Sequence, residues 1–192
     1  MFDYLAVLIS VVLGLAMTHV LTGASRAINR RHHVPLDWLQ LFWGFNILAY
    51  VLAVWWGMYW WKHLAVWTVQ TFAFLTGYAI VLFLMASALF PGEGGHSELE
   101  AGAFDRNRVW FFSLLLIAHI IDIPETAAKQ SDSLRAVPAE YWIVAPAFIA
   151  VAIAGLLCRQ RKIHRLFAPA WLTILMSYEI FSALDQIIAR QS

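Results

Sequence analysis

Formal charges are spaced along this chain so that they leave long apolar runs between them. No Asp, Glu, Lys or Arg occurs from Tyr4 to Ser25, from Trp38 to Trp61 or from Leu64 to Gly92, and a shorter clean run extends from Tyr141 to Cys158. About 20 apolar residues rising 1.5 Å each cross a hydrocarbon core of about 30 Å, so each run predicts a membrane-crossing helix. Leu166 to Ala189 is long enough for another but carries Glu179 and Asp185 in its interior. Between Arg108 and Asp122 only Val109 to Ile121 are free of charge, which predicts a short fourth helix ending near Pro124.

The pattern predicts an all-α integral membrane protein. It is a single transmembrane domain, a six-helix bundle with spans at about 4–25, 38–61, 64–90, 108–123, 141–158 and 167–188. In the loops, Ser97 and Glu100 have the spacing of a capping box, and Pro124 suits the first turn of a surface segment running to Glu140.

Loop charge orients the bundle. With both termini on the non-cytoplasmic side, the inner loops hold Arg26, Arg30, Arg31, Arg106, Arg108, Arg159, Arg161, Lys162 and Arg165, and the outer side holds Lys62, Lys129, Arg135 and Arg190. The excess of basic residues inside is the expected bias, and a bacterial-type inner (cytoplasmic) membrane is the expected location. Asp3 precedes the first run while the arginines follow it, the reverse of a cleavable signal peptide. Trp38, Trp60, Trp61, Trp67, Trp110, Trp142 and Trp171 all fall near predicted span ends, where indole rings favour the headgroup zone.

Composition agrees. The chain has 192 residues, 61% of them hydrophobic and 13% charged, a balance unsuited to a water-soluble fold. A net charge of +1 gives no field to attract nucleic acid. The single cysteine, Cys158, excludes an internal disulfide or a thiolate cluster. There is no nucleophile elbow, phosphate loop or HExxH pair, so neither an enzyme nor a cofactor is expected.

Candidate chemistry rests on polar residues inside the spans. An acid deep in hydrocarbon costs several kcal/mol unless paired, hydrated or protonated, which makes Glu179 the first functional candidate. Ser182, Asp185 and Gln186 share its helical face, and Tyr178 flanks it. His119 and Asp122 lie three apart on helix four, with Glu125 continuing the spacing. Helix one offers His19, with Arg26 beyond it, and a stripe of Ser10, Gly14, Thr18 and Thr22 that reads as a packing face.

Depth counted along the spans places Glu179 near the midplane, His119 slightly outward, His19 in the inner half, and Asp122 and Asp185 near the outer surface. The leading expectation is a channel or transporter for protons or a cation along Glu179, Asp185, His119, Asp122 and His19, with Tyr178, Ser182, Gln186 and Arg26 as polar support.

The alternative is a non-catalytic assembly subunit, in which the same groups hydrogen-bond helices together. Asn46 and Gln70 are expected to do so in either case. A third reading is a metal or haem protein, although no two histidines have the close helical spacing of a metal motif. Arg30, Arg31, Arg159, Arg161, Lys162 and Arg165 are expected against anionic lipid headgroups, and a homo-oligomer is expected because six short helices enclose little volume.

Overall fold

The computed structural model describes residues 2–32, 35–64, 66–91, 103–131, 137 and 139–191, with only the backbone described from 183 onward. Ser97 and Glu100 therefore lie outside the described residues. Six helices carry the fold: α1 (Phe2–Asn29), α2 (Trp38–Gly57), α3 (Val69–Leu89), α4 (Ala103–Ser131), α5 (Tyr141–Leu157) and α6 (Arg161–Gln191). A 3-10 turn, Met58–His63, follows α2, and no strand occurs among the described residues.

Four helical segments are long and apolar enough to cross a membrane: α1, Trp38–Lys62, α3 and Phe104–Lys129. Only 28% of the apolar window of α1 is buried inside the protein, and Val69, Ile143 and Leu157 stand exposed. Apolar surface of that extent needs lipid or another protein against it.

Contacts between helix ends show that the helices alternate in direction. Phe2 at the start of α1 packs on Trp67, just before α3, with ring centroids 5.7 Å apart. Asp37, which caps α2 through its Leu39 and Gln40 amides, pairs with Arg161 at the start of α6, and Arg161 also reaches Asp105 in the first turn of α4 at 2.8 Å. Tyr141 at the start of α5 meets Tyr178 late in α6. The starts of α2, α4 and α6 thus share one end, called here the arginine end, and those of α1, α3 and α5 share the far end. Each helix packs on its neighbours around the order α1, α3, α4, α5, α6, α2 and back to α1, with α2 also touching α3.

The core is aromatic. Trp43, Phe111, Phe112 and Trp171 are fully or almost fully buried, with Trp43 5.3 Å from Phe111, 5.2 Å from Phe112 and 6.1 Å from Trp171 between ring centroids. Glycines let rings in where a Cβ would collide. A Cβ on Gly155 would stand 2.4 Å from Phe112, and one on Gly23 would stand 2.4 Å from Phe90.

Several elements differ from the charge-interval reading. Helix α4 is not short: it runs unbroken through Pro124 to Ser131. Pro124 frees the Ile120 carbonyl without ending the helix, because neighbouring helices supply partners for the polar groups around it. Arg108, Asp122 and Glu125 point into the protein, and α4 continues past each of them. Helix α3 starts only at Val69, where the Thr68 hydroxyl caps it by accepting from the Thr71 amide.

Trp61 and Trp171, expected at the interface, are 2% and 0% exposed, while Trp38 and Trp142 are exposed as expected. The small-residue stripe of α1 is not the face that packs inside this bundle. Leu5, Ile9, Leu13, Ala16, Val20 and Gly23 are, and nothing lies within 4 Å of where a Gly14 Cβ would be.

Candidate functional site

The most concentrated polar chemistry lies between α2, α3, α4, α5 and α6, toward the far end. One member is His119, 3% exposed, whose ring stacks on Phe148 with centroids 4.7 Å apart and 7° between planes. Trp171 donates its indole N–H to His119 Nε2 at 3.1 Å. An indole nitrogen can only donate, so Nε2 holds a lone pair and the imidazole proton sits on Nδ1.

That assignment propagates. His119 Nδ1–H faces the Tyr50 hydroxyl over a long 3.4 Å contact, and Tyr50 and Tyr78 hydroxyls are 2.8 Å apart. Tyr78 donates to Asp122 Oδ1 at 3.1 Å, so it accepts from Tyr50, and Tyr50 accepts from His119. Every proton in the series points toward Asp122. Tyr141 donates to the other oxygen, Oδ2, at 3.0 Å, which closes the carboxylate from the α5 side. Tyr50 and Tyr78 are buried and Asp122 is half-buried.

Beside this series stands an ion pair. Glu125, 1% exposed, receives the Trp61 indole N–H at 2.9 Å and the Lys129 ammonium at 2.7 Å, both on Oε1. Its Oε2 is buried without a protein partner among the described residues. The Lys129 head lies over Gly57, where a Cβ would come within 2.9 Å of Nζ.

Glu179 is half-buried on α6, within electrostatic reach of Lys129 and Asp122. It sits next to Tyr178, whose ring meets Tyr141 at the start of α5, so it lies at the far end of the bundle and not at its middle. Helix α6 begins at Arg161 and continues twelve residues past Glu179, to Gln191. The side chains of Asp185 and Gln186 lie outside the described ones. Ser182 is half-buried.

Toward the arginine end, polar atoms are sparser and several lack partners. Asn46 donates to the Ala168 carbonyl at 2.8 Å, as its type predicted, while its Oδ1, Trp43 Nε1 and His164 Nδ1 have no partner among the described residues. Gln70 is exposed and does not share this role. His164, fully buried, bonds through Nε2 to the Cys158 carbonyl at 2.8 Å. Arg108 caps the end of α5, donating to the carbonyls of Gly155, Leu156 and Cys158 at 2.5, 2.8 and 2.7 Å. A cation at the negative end of a helix dipole is stabilised there. Asp37 raises the pKa of Arg161 above its ordinary value, chiefly by hydrogen bonding, with a further contribution from Asp105.

His19 does not join the series. Its Nε2 contacts the Phe90 carbonyl at 2.5 Å, and Gln40 donates to the Leu89 carbonyl at 2.7 Å, so both serve the end of α3. Tyr78, in the His119 series, precedes Phe90 by about 18 Å of helix, so His19 and His119 do not face a common ligand. Among the described residues no group of three His, Cys, Asp or Glu side chains is placed to hold a metal ion.

Of the sequence candidates the structure brings together His119 and Asp122 through Tyr50 and Tyr78, with Glu179 nearby. These tyrosines, and Trp171 and Tyr141 at the two ends, were not expected as polar partners. A tyrosine in mid-span was the available signal, since its hydroxyl needs a partner when buried. The chain matches no known protein family model, and no curated protein or solved structure is similar to it.

Proposed function

We propose that this is an integral membrane protein that moves protons, with His119, Tyr50, Tyr78 and Asp122 as the relay. The supporting observation is the continuous donor-to-acceptor series from His119 to Asp122, in which each inner group can release one proton while taking another. When His119 takes a proton on Nε2, its Nδ1 proton passes to Tyr50, the Tyr50 proton to Tyr78, and the Tyr78 proton to Asp122. No net charge stays on either tyrosine. Both Asp122 oxygens already accept hydroxyl protons, which favours a proton over a metal cation as the species moved.

The relay occupies the far half of the bundle. On the other side of His119 stands the aromatic layer of Trp43, Phe111, Phe112 and Trp171, so transport requires Trp171 to leave Nε2. The unpartnered atoms of Asn46 and His164 lie beyond it, one turn apart along α6 because Asn46 bonds at Ala168. They extend the path toward the arginine end. We read six crossings with the arginine end cytoplasmic, by the bias of basic residues to that side.

Proton flux into proteoliposomes under an imposed pH gradient tests this. Wild type should conduct and Asp122→Asn should not. Equal flux in both, or none in the wild type, contradicts the proposal.

A second reading has its own support: the same hydrogen bonds join five helices, and buried polar contacts also help specify packing in a membrane. Under that reading Asp122→Asn lowers stability or assembly, and neither protein conducts.

A further inference from the structure

At the arginine end, the first turns of α2 and α6 line a cavity of about 610 Å³. One wall carries Arg161 and Arg165, and the other carries Trp38, Leu39 and Phe42. We propose that this groove binds one anionic phospholipid, with its phosphate on Arg165 and an acyl chain along Trp38 and Phe42.

Charge argues for the headgroup. Arg161 is committed to Asp37 and Asp105. Arg165 is exposed and makes no hydrogen bond or ion pair among the described residues, which leaves its guanidinium fork free for a phosphate. Arg159 and Lys162 are exposed beside it and add to the positive field. Pro169, which also lines the groove, lacks the N–H that would otherwise take the Arg165 carbonyl, so that carbonyl is available to a headgroup hydroxyl.

Shape argues for a lipid over a free anion. Trp38 is 73% exposed at the first residue of α2, and Phe42 is exposed one turn deeper on the same helix. A soluble anion has no use for that wall, whereas a chain descending from a headgroup at Arg165 runs along it. The volume lies in the range of small-ligand pockets, enough for a headgroup and the first part of one chain. The groove is at the opposite end from the Asp122 relay, so its occupancy and the proton reading stand or fall separately.

The test uses the full chain, purified and delipidated in detergent, with bound lipid counted by native mass spectrometry and thermal stability followed in parallel. Phosphatidylglycerol should be retained at one copy per chain and raise the melting temperature, while phosphatidylcholine and inorganic phosphate should do neither. Arg165→Gln should weaken phosphatidylglycerol retention on the order of tenfold, the loss of one charge-assisted contact. Phe42→Ala should weaken it too. Arg31→Gln, at the same end but off the groove, should retain wild-type binding. The inference is overturned if phosphatidylcholine is held equally well, if phosphate alone stabilises the protein, or if Arg165→Gln and Arg31→Gln behave alike.

Discussion

Trp171 donates its indole N–H to Nε2 of His119 over 3.1 Å, and this one bond sets the proton on Nδ1. Nitrogen-15 NMR of histidine-labelled protein should therefore show His119 as the Nδ1–H tautomer. Trp171→Phe should leave Nε2 buried without a donor and lower stability by about 1–3 kcal/mol, read as a fall in melting temperature. An Nε2–H tautomer in the wild type would turn the Tyr50 proton toward His119 and break the series at Tyr78, which donates to Asp122.

Arg108 holds three carbonyls at the end of α5. Arg108→Gln should lower stability by at least about 2–3 kcal/mol, since even one hydrogen bond to a charged group carries about 1.5–3 kcal/mol and the carbonyls would be left orphaned. Proton flux per folded molecule should be unchanged, because Arg108 is outside the relay. A melting temperature equal to wild type would show that the cap contributes nothing.

The glycines separate into two kinds. Gly155→Ala should cost about 1–3 kcal/mol by overpacking against Phe112, which is locked among Trp43, Phe111 and Phe104. Gly14→Ala and Gly77→Ala meet nothing within 4 Å and should be neutral or stabilising by up to about 1 kcal/mol, the helix preference for Ala over Gly. Thermal melts of the three variants check the contrast, and a stable Gly155→Ala protein would mean that Phe112 is free to move.

Apolar intervals made the helices legible, because a lipid-facing helix has no polar face to obscure them. Boundaries failed where a charge was used inside the protein. Arg108 and Asp122 bounded the predicted span, yet α4 carries both inward, as it does Glu125, since α5, α3 and the 3-10 turn supply their partners. The inward face of α6 was legible only in part: Glu179 and Ser182 lie on it, half-buried, but its fully buried stretch is His164, Ala168, Trp171 and Leu175, the same spacing of three and four carried toward the helix start. No local pattern in the sequence pairs Trp171 with His119 or Tyr50 with Tyr78, because those contacts depend on which helices become neighbours.

Tyr78 and Tyr141 offer the most direct test of the relay. Both donate to Asp122, at 3.1 and 3.0 Å, but only Tyr78 stands between Asp122 and His119. Proton flux should be measured in proteoliposomes of wild type, Tyr78→Phe and Tyr141→Phe, each checked for equal insertion and melting temperature. The account predicts that Tyr78→Phe loses flux by about tenfold or more, a barrier of at least about 1.4 kcal/mol, while Tyr141→Phe retains most of it. Equal flux in the two variants would contradict it.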